Sequence, residues 1–304
     1  MSEPMRVIFW GVRGSYPSPG PQTTRIGGNT PCVEVRAGKH RIILDAGTGI
    51  IQLGNALVAQ HQADKNPIVA TVLFTHTHHD HTQGFPFFKP LYFQTTTLYV
   101  FGPKTLEADL HEVLARAMLP PVFPITLDQL PCVRIVRNLG EGETVVLGAG
   151  HAEPQIANGR LPPELNAPEN VLVHALRSYA HPQGVYVYRI EHQGKAVVYA
   201  TDTEGYVGGD QRLIRFARDA ALLIHDAQYT ETEYSSPQVS KQGWGHSTWR
   251  MALHVAQMAR AKQLVLFHHD PEHSDAMLDA VEKDARVIFP ATRLAREGMV
   301  VEVE

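Results

Sequence analysis

Short apolar runs alternate with longer polar or amphipathic segments along almost the whole chain. The run at 68–74 is typical, because it is rich in β-branched residues and ends where a cluster of histidines begins. Such runs predict buried strands. By the same criterion, strands are predicted at 7–10, 32–36, 41–44, 97–101, 133–136, 143–147, 171–178, 185–190, 195–201, 221–224, 264–267 and 299–303.

Helices are predicted where apolar residues recur with a period near 3.6. The segment 105–118 has this pattern and ends before a pair of prolines. Further helices are predicted at 50–60, from Thr248 to about residue 260, and at 273–282. Alternation of strands and helices predicts an α/β fold in one domain, residues 1–304. We expect an αββα sandwich of two packed mixed β-sheets flanked by helices.

The histidines after the run at 68–74 have the spacing His-x-His-x-Asp-His. This makes His76, His78, Asp80 and His81 candidate metal ligands. Imidazole and carboxylate together suit Zn, Mn or Fe. The carboxyl end of a strand is also where α/β folds bind ligands. Because the chain has 17 His in 304 residues, a histidine-rich surface loop is the alternative.

The order of apolar strand, turn and candidate ligand recurs in distant parts of the chain. It is found at Asp45, His181, Asp202 and His268 as well as at the histidine cluster. Two divalent cations repel each other, so a dinuclear site needs a bridging anion. Asp202 is predicted to supply it, with Glu204 as the local competitor.

Composition indicates a globular protein without a membrane segment. Hydrophobic residues make up 43% of the chain and charged residues 19%. The start has no leader-like pattern, and Cys32 and Cys132 form no disulfide framework. We therefore expect a cytoplasmic protein. The net charge of -4 gives no general attraction to nucleic acid, whereas two bound divalent ions would favour a phosphate ester locally.

The segment 73–88 reads Leu-Phe-Thr-His-Thr-His-His-Asp-His-Thr-Gln-Gly-Phe-Pro-Phe-Phe. It resembles the signature of the metallo-β-lactamase superfamily, in its phosphodiesterase and ribonuclease Z-like branch. The resemblance implies a metal-dependent hydrolase with two divalent ions, Zn or Mn, with Fe as a further option. It also implies that His181 is the third histidine of the ligand set and Asp202 the bridging carboxylate. His268, rather than its neighbour His269, would be the last ligand.

The resemblance also implies supporting and catalytic residues. Asp45 matches an Asp that orients the ligand loop without touching metal, although a helix cap is the alternative. Asp80 would orient the nucleophile. His246 is predicted to protonate the departing oxygen, backed by Asp226, which stands where ribonuclease Z has the Glu of His-Glu-Ala. An exposed position at a helix start is the alternative for His246.

A Gly-rich loop precedes the second predicted strand and contains Asn29 and Thr30. Such loops can bring backbone N–H groups close to an anion, so these residues are predicted to contact substrate phosphate. A turn with no ligand contact is the alternative.

The expected substrate is a small phosphodiester, such as a cyclic nucleotide or another cyclic phosphate. Ribonuclease Z grips tRNA with a long basic arm, whereas the loop at 148–170 carries only Arg160 against Glu153, Glu164 and Glu169. Nucleic acid is therefore not the expected partner, because phosphate contacts supply most nonspecific affinity. The alternatives are a ribonuclease Z-type tRNA 3′-end endonuclease, a lactonase or thioesterase, and a non-catalytic metal or nucleotide sensor. A homodimer is possible.

Overall fold

The computed structural model describes residues 4–105, 108–149, 153–206 and 208–304. Within these ranges two mixed β-sheets pack face to face, with helices on their outer sides. The αββα sandwich predicted from the alternation of strands and helices is confirmed.

The first sheet is formed by both ends of the described chain. Its strands are β1 (Met5–Gly11), β2 (Cys32–Ala37), β3 (His40–Leu44), β4 (Ile68–Leu73), β5 (Thr96–Pro103), β6 (Val133–Leu139) and β15 (Val300–Val303). Their order is β15-β1-β2-β3-β4-β5-β6. Pairing is antiparallel from β15 to β3 and parallel from β3 to β6.

The second sheet contains the remaining strands of the described ranges. They are β7 (Glu143–Leu147), β8 (Gln155–Asn158), β9 (Val171–Ser178), β10 (Val185–His192), β11 (Lys195–Ala200), β12 (Leu222–Asp226), β13 (Leu264–Phe267) and β14 (Thr292–Leu294). Their order is β14-β13-β12-β11-β10-β9-β7-β8. The four strands from β11 to β14 are parallel.

The helices of the described ranges cover the outer faces of the sheets. They are α1 (Gly49–Asp64), α2 (His79–Thr82), α3 (Leu110–Arg116), α4 (Gln211–Phe216), α5 (Glu231–Tyr234), α6 (Trp249–Ala259) and α7 (Asp275–Ile288). None of these described helices combines the length and the apolar character needed to cross a bilayer.

Side-chain alternation along β3 explains how the layers are built. Ile42 and Leu44 belong to the core between the two sheets, whereas Ile43 packs with Ile50 and Leu53 of α1 on the outer face. Successive residues of a strand point to opposite faces, so an all-apolar strand can serve both layers at once. This is why the strand runs lack a polar face in the sequence.

The third helix is shorter than its apolar pattern predicts. The pattern covers 105–118, but the helix runs from Leu110 to Arg116, and positions 106 and 107 lie outside the described residues. The Asp109 carboxylate accepts the backbone N–H of Glu112 and so caps the helix at its start. The start of this helix is therefore set by the Asp109 cap and not by the periodicity of its apolar residues.

The loop predicted at 148–170 is partly ordered by pairing. Its described residues include β8, which pairs with β7 in antiparallel register, whereas 150–152 lie outside the described residues. β8 was not predicted, because this segment has few branched apolar residues.

A fully buried arginine joins the start of the chain to its end. Arg13 is fully buried and donates hydrogen bonds to the backbone carbonyls of Gly27, Asp270 and His273, and it lies 3.9 Å from the Asp275 carboxylate. We expect Arg13→Ala to lower the free energy of unfolding by about 3 kcal/mol, since it leaves three backbone carbonyls without their donor and removes the buried cation beside the Asp275 carboxylate. Urea unfolding monitored by circular dichroism measures the change.

A surface arginine provides the control for this prediction. Arg6 pairs with Glu302 at 3.1 Å, and both side chains are about half exposed. We expect Arg6→Ala to change the unfolding free energy by less than about 1 kcal/mol, because exposed ion pairs contribute little. Equal losses in the two variants would contradict the structural role given to Arg13.

Candidate metal centre

The candidate ligands lie together at one edge of the sandwich, just past the carboxyl ends of strands from both sheets. The first sheet supplies Asp45 after β3 and the 76–81 segment after β4. The second sheet supplies His181 after β9, Asp202 after β11 and His268 after β13. Five segments that are distant in sequence therefore meet in one place.

Three of these residues turn the chain sharply as it leaves a strand. Asp45, Asp202 and His268 have φ angles of 61°, 53° and 61°. Residues other than glycine seldom adopt this left-handed conformation, and its cost is typically balanced where function demands the geometry. The turn directs each side chain inward while the backbone moves into a loop.

The first ligand group consists of His76, His78 and His181. One ring nitrogen of each lies within 4.8 Å of the others, and His181 Nε2 is 3.0 Å from His78 Nδ1. His76 Nε2 is buried and has no hydrogen-bond partner. A buried imidazole nitrogen without a partner is costly unless it binds something, and a cation is a suitable partner.

The second ligand group consists of Asp80, His81 and His268. The Asp80 Oδ2 atom lies 3.3 Å from Nε2 of both His81 and His268, and these two nitrogens are also 3.3 Å apart. Ligands bound at about 2.0–2.2 Å to one ion are separated by roughly 3–3.5 Å. The donor atoms are therefore already at the spacing that a shared divalent ion requires.

Asp202 lies between the two groups and turns one oxygen toward each. Its Oδ1 is 3.7 Å from His76 Nε2 and 3.8 Å from His181 Nε2. Its Oδ2 is 3.2 Å from His81 Nε2 and 3.4 Å from His268 Nε2. This is the arrangement expected of a carboxylate that bridges two cations.

Glu204, the competitor for that role, has different partners. Its carboxylate accepts the backbone N–H groups of Gly243 and Gly245 and the Tyr234 hydroxyl. Among the described residues it belongs to none of the candidate metal groups. The geometry therefore favours Asp202.

The donor set fits divalent metal ions. Both groups contain imidazoles, all deeply buried except that of the half-buried His78, and the second adds a carboxylate, which is the ligand chemistry of Zn and of related transition metals. Together with the buried His76 Nε2, this supports metal binding at the centre.

The carboxylates and imidazoles of the centre shift one another's pKa values. Burial raises the pKa of the Asp202 carboxyl, but His268, His81 and His76 lower it more, so it lies well below its usual range. Burial lowers the pKa of His81, but Asp202 and Asp80 raise it well above its usual range. The carboxylates thus stabilise a positive charge on the His81 imidazole. A metal ion would replace protons at this position, as metal binding to protein sites generally does.

Several residues hold the ligand rings in place. Asp45 accepts the backbone N–H and the hydroxyl of Thr75, and its Oδ2 is 2.9 Å from His81 Nδ1, although not in line for a hydrogen bond. Tyr199 donates its hydroxyl to the same carboxylate. Asp45 therefore lies beside the ligand loop and outside the two ligand groups, which is the position expected from the sequence. Such contacts fix ring orientation.

Other supporting contacts were not predicted. Gln228 Oε1 is 2.9 Å from His268 Nδ1, and the Gly245 carbonyl is 3.0 Å from His181 Nδ1. The backbone N–H of Ser15 donates to Asp80. Gly245 has a φ of 89°, and a Cβ there would lie 2.1 Å from His181 Nδ1. The sequence signal for Gln228 and Gly245 was their place beside the predicted catalytic residues Asp226 and His246, and Ser15 had no such signal.

His246 lies beside both ligand groups and contacts Asp226. Its Nδ1 is 2.8 Å from Asp226 Oδ2, and its ring stacks on that of His268 at 5.0 Å. Burial lowers the pKa of His246, but Asp226 outweighs this, by charge and by the hydrogen bond, and raises it to about 9. Asp226 is itself held by the backbone N–H groups of Ser247 and Asp202. His246 is thus a buried member of the site and not an exposed helix start.

The adjacent histidines of the last junction have separate environments. His268 lies in the centre, whereas His269 Nε2 is 3.0 Å from the Ala295 carbonyl. Burial, followed by the charge of Arg13, lowers the pKa of His269 to about 3. The structure therefore places His268 in the ligand group, as the sequence expectation has it.

The two residues of the Gly-rich loop have structural partners. The Thr30 side chain is fully buried, and its hydroxyl accepts hydrogen bonds from the Thr48 backbone N–H and from Gln83. Asn29 donates two hydrogen bonds to Glu297. A fully buried hydroxyl does not reach a substrate, so the structure corrects the expectation for Thr30. A substrate contact of Asn29 stays a prediction.

A family model described as "Beta-lactamase superfamily domain" matches residues 40–269, which is most of the chain. The chain belongs to the metallo-β-lactamase superfamily. It is a metal-dependent hydrolase of that superfamily. The sensor alternative is thereby removed.

Other proteins are similar to this chain over almost its whole length. A Ribonuclease Z from Thermoplasma acidophilum is 27% identical, with 100% of this chain and 98% of the relative covered. The solved structure of the metallo-β-lactamase fold protein YhfI from Bacillus subtilis has a TM-score of 0.67 at 20% identity, covering 99% and 100%. Human tRNase Z, short form, has a TM-score of 0.61 at 20% identity, covering 98% and 99%. These two structures share the superfamily fold.

Proposed function

We propose that this chain is a dinuclear metal-dependent phosphodiesterase that cleaves RNA, as a tRNA 3′-end endonuclease of the ribonuclease Z type. The observation that supports two metal ions is that the two carboxylate oxygens of Asp202 face two separate ligand groups. The choice of RNA is supported by full-length relatives named Ribonuclease Z. This proposal reverses the order expected from the sequence, which preferred a small phosphate ester to a nucleic acid.

The proposed ligand sets follow from the two groups. His76, His78 and His181 would hold one divalent ion, Zn or Mn, and Asp80, His81 and His268 the other, with Asp202 between them. When bound, such ions generate a nucleophile from water near neutral pH and neutralise charge that builds up at phosphorus.

The protein's own residues position the reacting groups. Asp80 is fixed by the Ser15 backbone N–H, and it would orient the attacking water through its carboxylate. Asp226 holds the proton of His246 on Nδ1, so Nε2 is the atom that would deliver a proton to the departing oxygen. A departing alkoxide gains much from a placed acid. This supports phosphodiester cleavage over thioester hydrolysis, in which a thiolate departs without needing a proton.

The second candidate is a small cyclic phosphodiester, the substrate first expected from the sequence. Its support is the absence of an extended basic arm among the described residues of the 148–170 loop. There, Arg160 stands among Glu153, Glu164 and Glu169. Since basic contacts to phosphates dominate affinity for nucleic acid, this loop offers tRNA little attraction.

Turnover by Zn- and Mn-loaded protein tests both candidates. We expect cleavage of a pre-tRNA with a 3′ trailer, hydrolysis of bis(p-nitrophenyl) phosphate, and loss of both on chelation, with recovery when metal is restored. The panel includes cyclic nucleotides, linear diesters and lactones. Faster turnover of cyclic nucleotides than of pre-tRNA would favour the second candidate. Activity that survives complete chelation would rule out both.

A further inference from the structure

A cleft of about 630 Å³ opens beside His181. Its volume lies within the range of roughly 300–1,000 Å³ that small-molecule sites occupy. The lining residues that matter here are Arg177, Tyr179, His181, Glu204, Tyr206 and Gly243. Because His181 belongs to the first ligand group, a molecule in the cleft would touch the metal centre.

Both walls of the cleft continue from strands that supply metal ligands. Tyr179 follows β9 and precedes His181 by two residues. Tyr206 follows β11 and lies four residues after Asp202. The cleft is therefore tied to the metal centre through rigid strands, which suits a subsite for the reacting molecule.

Two tyrosines and an arginine give the cleft its chemistry. Tyr179 is 65% exposed and Tyr206 is 54% exposed, so neither ring is part of the core. The Arg177 guanidinium lies 5.3 Å from the centre of the Tyr179 ring. Aromatic rings beside a cation are the surface on which nucleic acid bases stack while phosphate is held nearby.

The neighbouring loop adds a second pair of this kind. Lys241 Nζ lies 3.9 Å from the centre of the Trp244 ring, and Trp244 is half exposed. Glu204 fixes this loop by accepting the backbone N–H groups of Gly243 and Gly245. The Glu204 carboxylate, which lines the cleft, therefore already accepts hydrogen bonds. These bonds reduce its repulsion of an anionic ligand.

On these observations, and resting on the proposed function, we infer that the cleft binds a nucleoside adjoining the scissile phosphate. The base stacks on Tyr179 and Tyr206, and Arg177 contacts a phosphate of the same molecule. A metal centre alone recognises only the phosphodiester group. With this cleft, the enzyme would prefer esters that carry a nucleoside. The end of an RNA chain and a cyclic nucleotide share this chemistry.

Substitution of Tyr179 tests the inference with two diesters. Thymidine 5′-(p-nitrophenyl phosphate) carries a nucleoside, and methyl p-nitrophenyl phosphate does not. We expect Tyr179→Ala and Tyr206→Ala each to lower kcat/KM for the thymidine ester by roughly tenfold or more, mainly through KM, because stacking contributes about 1–3 kcal/mol per base. The methyl ester should lose far less. Tyr179→Phe should restore the preference, since it keeps the ring.

Binding without turnover gives an independent readout. Calorimetry with AMP and with ribose 5-phosphate should show that Tyr179→Ala weakens AMP about tenfold and the sugar phosphate little. Tyr92→Ala, an exposed tyrosine outside the residues that line the cleft, should leave both unchanged. Melting temperatures confirm that each variant is folded.

The outcomes distinguish a failure of the nucleoside cleft from a failure of the proposed phosphodiesterase activity. Hydrolysis of both esters with no effect of Tyr179→Ala on AMP binding would overturn the nucleoside cleft and keep the phosphodiesterase. AMP binding that depends on Tyr179, with no metal-dependent hydrolysis, would overturn the phosphodiesterase and keep the nucleoside cleft. Repeating the kinetics with pre-tRNA and cyclic nucleotides shows which of these substrates uses the cleft.

Discussion

Replacing Asp202 by Asn is expected to lower kcat/KM for bis(p-nitrophenyl) phosphate by roughly 10³-fold or more. The two carboxylate oxygens face separate ligand groups, and an amide offers a neutral oxygen to one group and an N–H₂ donor to the other. The repulsion between two cations would then be uncompensated. Elemental analysis should find about two metal ions per wild-type chain and at most one in the variant.

Asp219→Asn is the matched control for this change. Asp219 also has a left-handed backbone, with a φ of 55° against 53° for Asp202, and it forms a surface pair with Arg260. Asn tolerates this conformation, so neither substitution should strain the backbone. The control should keep wild-type activity and metal content. Two bound metals and full activity in Asp202→Asn would contradict the bridging role.

His246→Ala is expected to lower kcat by about 10²–10⁴-fold on substrates with a ribose leaving group. An alkoxide is a poor leaving group and needs a proton as the P–O bond breaks. The loss should be about tenfold or less with p-nitrophenyl esters, since p-nitrophenolate departs without help. The measurement is single-turnover cleavage of RNA beside hydrolysis of bis(p-nitrophenyl) phosphate, with the same protein preparation.

The control for His246 is His254→Ala, on an exposed position of α6. It removes an imidazole from the neighbouring helix and should leave both rates within about twofold of wild type, as is usual for exposed positions away from special features. Metal content should be unchanged in both histidine variants. Equal losses of His246→Ala on the two substrates would point to a structural role and against proton delivery.

Most of the strands that carry the centre could be predicted because they are contiguous apolar runs with a ligand close behind them. The run before His76 is one case, and the run before His268 is another. Elements without a strong apolar pattern were missed or misplaced. The short helix α4 and the edge strand β14 were not predicted, and α3 begins later than its pattern indicates.

The sequence alone determined which residue types stand at the strand ends, and hence the ligand chemistry and the superfamily. Only the tertiary structure decided which oxygen of Asp202 faces which histidines, that Gln228 supports His268, and that Thr30 is buried. The physical reason is distance along the chain. His81 and His268 are 187 positions apart yet have ring nitrogens 3.3 Å from each other. No local pattern encodes such a contact, which arises only when the two sheets pack.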